Sequence, residues 1–388
     1  MSRPGPQLPE RASVVIVGGG AIGVSVAFHL AEAGVRDVVL VERGQLGAGS
    51  TARGAGGVRA QFSDALNVAL GQRSLDAFAD FPRRPGAEID LRQVGYLFAL
   101  TRPEDVAAFE RAVAVQNELG VPSRMLDAAE ARCRCPLLAG TDLLAAAFSP
   151  DDGHATPDAV VQGYAAGARA HGAHLATGCA VEAVDVEGGT IRAVRTSAGR
   201  VATEVVVCAA GAWSAACGAM AGVELPVRPL RRQILFTEAI ADLPARLPMT
   251  IDFATGFYFH REGPGVLMGM PDPDDRWGFD AHTSDDWVPG LIEVAERRAP
   301  AIARAGIKGG WAGLYEMTPD HNALIGEAPG VSRFLYATGF SGHGFLQSPA
   351  VGEVVRDLVL EREPFVDVAP LSAGRFAAGG ARRELHVV

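Results

Sequence analysis

The stretch from Ser13 to Glu42, SVVIVGGGAIGVSVAFHLAEAGVRDVVLVE, limits what this chain can fold into more than any other. An apolar strand, Val14 to Val17, runs into Gly18-x-Gly20-x-x-Gly23. A helix follows with apolar residues at Ile22, Val26, Leu30 and Ala33, closed by Gly34. A second strand, Val38 to Val41, ends in Glu42, 19 residues beyond Gly23. The strand before, the helix after and the acid at this distance turn a common glycine pattern into a dinucleotide-binding unit. Gly18 permits the tight turn, Gly20 lets backbone amides approach a pyrophosphate, and Gly23 lets helix and strand pack closely. The helix start, with Ala21 and Ile22, offers N–H donors and the positive end of its dipole to the anion. Glu42 is placed to accept hydrogen bonds from ribose hydroxyls.

A chain of 388 residues has room for two domains, each with its own core. No apolar run reaches the ~18 residues of a membrane span. The opening MSRPGPQLPERA lacks an apolar signal core and reads as a short disordered arm. A net charge of −10 argues against nucleic acid as a main partner. Five scattered cysteines contain no CxxC and no metal-ligand spacing, so no metal is expected and a reducing cytoplasm is the expected compartment. Lys308 is the only lysine, so any chemistry that needs an amine side chain rests on it alone.

Nucleotide-domain signatures recur along the chain with other material between them. The expected cofactor domain is discontinuous, taking residues 1–90, 151–224 and 308–370. Segment 157–173 reads as an amphipathic helix, and the stretch from Val181 as a β-meander ending in the strand that leads to Gly211. Residues 91–150 and 225–307 have a different texture, with strands at Gly95–Thr101, Arg231–Thr237, Phe257–Arg261 and Gly265–Met270. They are expected to form a second, antiparallel-sheet domain roofing the cofactor. Residues 371–388 carry little pattern and are expected to fray.

Four segments, in order, resemble the D-amino-acid-oxidase superfamily of FAD proteins, nearest the sarcosine oxidase β-subunit, proline dehydrogenase β-subunit and glycine oxidase branch. They are GGGAIG…VLVERG, GAGSTARGAGGVRAQF, VVVCAAGAWS, and WAGLYEMTPDHNALIGE with ATGFSGHGFLQSPAVGE. The resemblance implies an α/β fold, a glutathione-reductase-like FAD-binding Rossmann domain with an interleaved antiparallel substrate domain. It places Arg43, Ser50, Thr51, Ala52, Val181, Ala210, Gly211 and Trp213 along the FAD. Gly56 and Gly57 would lie against the isoalloxazine face. Gly313, Tyr315, Gly339, Phe340, Ser341, Gly342, His343, Gly344 and Phe345 would surround its pyrimidine edge, and the helix Ala350 to Leu360 would point its positive end there. Some relatives tether FAD through a cysteine two residues before the tyrosine matched by Tyr315. That position is Gly313 here, so FAD is expected to be non-covalent. The positions of two lysines used in the family are Leu267 and Leu346.

The implied reaction is oxidation of the C–N bond of a small amino acid or N-alkyl amino acid, by hydride transfer to flavin N5 and hydrolysis of the imine. The acceptor is left open between O2 and a protein or quinone partner, as is homo- or hetero-oligomeric assembly. Alternatives are a 2-hydroxy-acid dehydrogenase, or a partner-bound subunit whose FAD is structural. Arg59 is the candidate for a substrate carboxylate, since a planar guanidinium suits bidentate binding; a structural ion pair is the competing reading. Tyr258 and His260 alternate onto one face of their strand and are candidates for the substrate side of the flavin; a packed tyrosine and a surface histidine are the competing reading. His343 either polarises the site or fills a turn. Gln61 is a further pocket candidate, and Asp320 with His321 is expected to organise a loop. The segment Pro271 to Asp286 is either a lid or a long surface loop.

Overall fold

Val14–Val17 is buried along its whole length because both faces of its sheet are covered, which is why it reads as an unbroken apolar run. The sheet has six strands in the order Leu324–Glu327, Phe334–Thr338, Val206–Cys208, Val14–Val17, Val38–Glu42 and His174–Thr177. All neighbours are parallel except the first pair. Helices Ala21–Glu32, Ala65–Ala79, Pro157–Ala170 and Gly344–Val359 share a core on one face. A three-stranded meander, Val181–Glu187, Thr190–Thr196 and Gly199–Ala202, covers the other. A Cβ on Gly23 would lie 1.9 Å from the Gly18 carbonyl, so only glycine lets helix and turn approach this closely. The computed structural model describes residues 7–377 and 379–387. The first six residues of the expected N-terminal arm lie outside the described residues, while Glu10–Ala12 pairs with Ala202.

The second layer is an eight-stranded sheet in the order Ile307–Met317, Arg228–Thr237, Gly265–Gly269, Phe257–Glu262, Met249–Asp252, Tyr96–Leu100, Ala145–Ser149 and Arg124–Asp127. It is antiparallel except where Met249–Asp252 runs parallel to Tyr96–Leu100. Alternation along Tyr96–Leu100 sends Leu97 and Ala99 to the outer core, and Tyr96, Phe98 and Leu100 to the face toward the nucleotide domain.

Three expectations are corrected. Residues 308–317 were expected in the cofactor domain. They belong to the roof sheet instead, because Ile307–Met317 pairs along the whole of Arg228–Thr237. The helix expected from Ala350 begins at Gly344 and runs through Pro349. Proline cannot donate to the Phe345 carbonyl, and the Ser348 hydroxyl does so at 2.8 Å. The segment expected to fray, 371–388, is exposed along much of its described length but is pinned at Leu371, Arg375, Glu384 and His386. Arg375 forms a buried ion pair with Asp320 at 2.7 Å, and Glu384 and His386 are each 1% exposed. Among the described residues no helix is long and apolar enough to cross a membrane.

Candidate active site

A cavity of about 510 Å³ runs between the two sheets, from Glu42 at one end to Arg59 at the other. At the Glu42 end the helix start at Gly20–Ile22 faces it with no acidic residue in the first turn, so the positive dipole end is left for an anion. Glu42 holds the loops in shape: one carboxylate oxygen accepts from the Gly19 amide at 2.8 Å, the other from Gly44 at 2.7 Å. The Thr51 hydroxyl accepts from the Ala21 amide at 3.2 Å. Arg43 lies 3.8 Å from the centre of the Trp213 ring, and Phe279 stacks on that ring at 5.5 Å. The segment 271–286 thus touches this end of the site through Phe279, but none of its residues lines the cavity. Val181, Ala210 and Gly211 complete the wall.

The middle of the cavity is lined by backbone. Gly56 has φ +73°, and a Cβ there would meet the Ala155 carbonyl at 2.3 Å. Beside it, Gly57 leaves room for the Tyr96 hydroxyl. The Ser50 hydroxyl donates to the Leu314 carbonyl at 2.6 Å, and the Trp311 indole donates to the Arg53 carbonyl at 3.0 Å. Both bonds tie the nucleotide domain to the roof. Opposite, Gly313, Tyr315, Gly342, His343, Gly344 and Phe345 line the wall where the helix Gly344–Val359 starts. A flat, amide-edged slot bounded by glycines, joined to an anion-binding helix start, has the form an FAD requires. Gly23, Ala52, Gly339, Phe340 and Ser341 do not reach the cavity and lie behind its wall.

Arg59 is 2% exposed. Its Nη1 donates to the Gln61 carbonyl, and its Nη2 donates to His343 Nε2 at 3.1 Å and to the His386 carbonyl at 2.5 Å. Among the described residues no carboxylate lies within ion-pair distance of it. Because arginine only donates, His343 Nε2 must accept, which makes His343 a neutral imidazole with its proton on Nδ1. Burial, and then the Arg59 charge, push its pKa down to about 3. Tyr96, Tyr258 and Tyr315 line the same end, where burial raises all three phenols above their ordinary value, Tyr96 to about 12. Tyr258 faces across to Gly269, where a Cβ would fall 2.4 Å from its hydroxyl.

His260 does not join them. It is 2% exposed and stacks on His154 at 4.3 Å, with Nε2 at 3.0 Å from the Ala55 carbonyl. It therefore braces the loop that carries Gly56. Gln61 also lies outside the cavity lining; its amide donates to the Tyr96 carbonyl at 3.0 Å and to Asp152 at 3.2 Å. Asp320 and His321 lie at a loop, with Asp320 committed to Arg375.

Four contributors went unread in the sequence. Tyr96 and Arg232 line the cavity from roof strands that no motif marks, and Arg232 is paired there with Asp275 at 3.1 Å. Buried Asp152 accepts from the Ala60 amide at 3.1 Å and so holds the Arg59 loop; desolvation pushes its pKa up to about 7. Glu316 accepts from Thr338 at 2.8 Å and from the Gly339 amide at 3.0 Å, and desolvation raises it to about 6. Its place directly after Tyr315 was the one available signal. Lys308 sits at the exposed start of its strand and does not line the cavity.

Comparison with known proteins agrees with this architecture. The family described as FAD dependent oxidoreductase (DAO) matches residues 13–358. Glycine oxidase of Geobacillus kaustophilus is 32% identical over 95% of this chain and 98% of its own length. Mitochondrial dimethylglycine dehydrogenase of Mus musculus is 30% identical over 96% of this chain, which spans 45% of that protein. The chain thus covers about half the length of such relatives. Among solved structures, L-proline dehydrogenase from P. horikoshii superposes with a TM-score of 0.90 at 33% identity, covering 97% of this chain and 100% of that one. The chain belongs to the DAO family of FAD-dependent oxidoreductases.

Proposed function

We propose that this protein oxidises the C–N bond of a small amino acid or N-alkyl amino acid, using non-covalently held FAD. The observation that carries this reading is Arg59: a buried guanidinium held by neutral acceptors, with no carboxylate partner among the described residues, at the flavin end of the cavity. Such a charge is complementary to a substrate carboxylate. Bound FAD supplies the hydride acceptor for this chemistry. The chain itself sets the protonation state of the substrate. Arg59 lines this end with no carboxylate beside it, and a fixed positive charge there disfavours an ammonium and favours the neutral amine, the form able to lose hydride. Neutral His343 and the three protonated phenols add no negative charge, and the Glu316 carboxylate in the same wall is engaged by Thr338 and the Gly339 amide. Gly313 supports non-covalent FAD, since the tethering cysteine of some relatives has no counterpart at that position.

The test is an anaerobic absorbance screen of the purified flavoprotein against sarcosine, proline, glycine, other D- and L-amino acids and 2-hydroxy acids. Bleaching of the flavin band by an amino acid is the expected result, and admitting air then tells O2 from another acceptor. Bleaching by a 2-hydroxy acid alone, or by none of the compounds while dithionite still bleaches, overturns the reading.

A further inference from the structure

We propose that the C-terminal segment 380–387 is a working part of the substrate site, in which His386 is a positioning residue that holds Arg59 ready for a carboxylate. The inference rests on the amino-acid reading above.

The segment is not merely pinned. Arg375 already anchors it, through a buried pair with Asp320, well before the cavity is reached. Beyond that anchor the chain continues across the loop following Arg59. The Glu384 carboxylate accepts from the Ser63 amide at 3.0 Å, from the Ser63 hydroxyl at 2.7 Å and from Asn67 at 3.0 Å. Its first oxygen also accepts from the His386 amide at 2.9 Å, which turns the backbone inward. The His386 ring then lies flat on Phe109, with centroids 4.1 Å apart and planes 8° apart, and Phe98 and Phe253 flank it at 5.8 and 6.0 Å. This seat puts the His386 carbonyl 2.5 Å from Arg59 Nη2.

The acceptors on Arg59 are all neutral: two carbonyls and an imidazole. They fix the direction of the fork without neutralising it. An arginine free to change rotamer would lose side-chain entropy on binding a ligand; one held this way loses less. A carboxylate in place of the His386 carbonyl would also hold the fork, but would cancel the charge that the substrate needs.

The experiment compares His386→Ala, which removes the ring that seats the carbonyl, with His386→Phe, which keeps the stack on Phe109. Propionate, a carboxylate with no amine to oxidise, is titrated into each holoprotein and its binding read from the flavin spectrum. The Ala variant is expected to bind it about tenfold more weakly, with the Phe variant within about twofold of wild type. For the amino acid found in the screen, KM should rise about tenfold in the Ala variant while kcat changes less than threefold. If the Ala variant does not retain FAD, Glu384→Ala releases the same segment and should shift the propionate titration in the same direction. Wild-type affinity in the Ala variant, equal losses in Ala and Phe, or a wild-type protein that binds no propionate overturns the proposal. Propionate is not oxidised, so the titration judges the segment separately from the reaction; failure of the amino-acid reading shows instead as a flavin that no amine bleaches.

Discussion

Burying a guanidinium without a counter-charge costs several kcal/mol, and that cost is recovered when an anion arrives. Arg59 is in that position, so replacing it should be felt in binding before anything else. In Arg59→Met the apolar volume is kept and two charge-assisted hydrogen bonds to a carboxylate are lost, each about 1.5–3 kcal/mol. KM for the substrate is expected to rise by at least about a hundredfold while flavin content stays at wild-type level; an unchanged KM would remove Arg59 from the substrate site. Gly313 makes a second residue-scale prediction. A Cβ there would fall 2.5 Å from the Arg53 Cβ, so installing the tethering cysteine displaces the neighbouring loop. Gly313→Cys is therefore expected to release all its flavin into the supernatant on acid precipitation, where a covalent bond would leave the pellet yellow. Residues of this kind were legible only beside a motif. Arg59 follows a glycine pair that the resemblance aligns, and Tyr258 alternates on a clear strand. Arg232 and Tyr96 reach the cavity, and Asp152 braces its Arg59 loop, from three separate segments, and no local spacing records that convergence.

At the level of elements, the joint between the roof and the nucleotide sheet is held by Glu316, at the end of a roof strand, and by Thr338 and Gly339, at the end of a nucleotide strand. Glu316→Ala leaves the Gly339 amide without its acceptor, at a cost of about 1–3 kcal/mol, while the Thr338 hydroxyl can turn to Ser214. A melting temperature lower by several degrees, together with reduced flavin content, is expected; Glu316→Gln, which keeps an acceptor oxygen, should recover most of both. A full complement of flavin in the Ala variant would show that the joint does not shape the cavity. The strand–turn–helix that opens the chain was readable because its parts are adjacent and its period changes from 2 to 3.6 within a few residues. The roof was harder. Ala145–Ser149, read as AAAFS, has little β-propensity and becomes a strand because it fits between Tyr96–Leu100 and Arg124–Asp127. The helix through Pro349 depends on one serine hydroxyl, and the docking of Glu384 and His386 depends on partners more than 300 residues away. Tertiary context decided each of these.

The whole molecule threads back and forth between two sheets, with histidines shielded from water both near the cavity and in the helix layer. His29, His154, His343 and His386 are held neutral mainly by burial, with pKa values lowered to about 4, 3, 3 and 4. Each would titrate near 6.5 in the unfolded chain, so between about pH 6.5 and 4 the unfolded state binds the extra protons. Their contribution to stability is present above pH 6.5 and is lost as pH falls. Asp152 and Glu316 act in the opposite sense: raised to about 7 and 6, they bind protons in the folded state first and favour folding at lower pH. With His260 lowered by burial as well, the histidines outnumber the two raised carboxyls, so unfolding takes up protons near pH 5 and stability rises with pH there. The urea midpoint of the holoprotein should therefore climb from pH 4.5 to 6.5 and then level off. His29→Phe, which removes one of these histidines at a site remote from the cavity, should make that climb measurably shallower. A midpoint that is flat across this range would mean that the histidines are already open to water, and that the packing around them is looser than the structure implies.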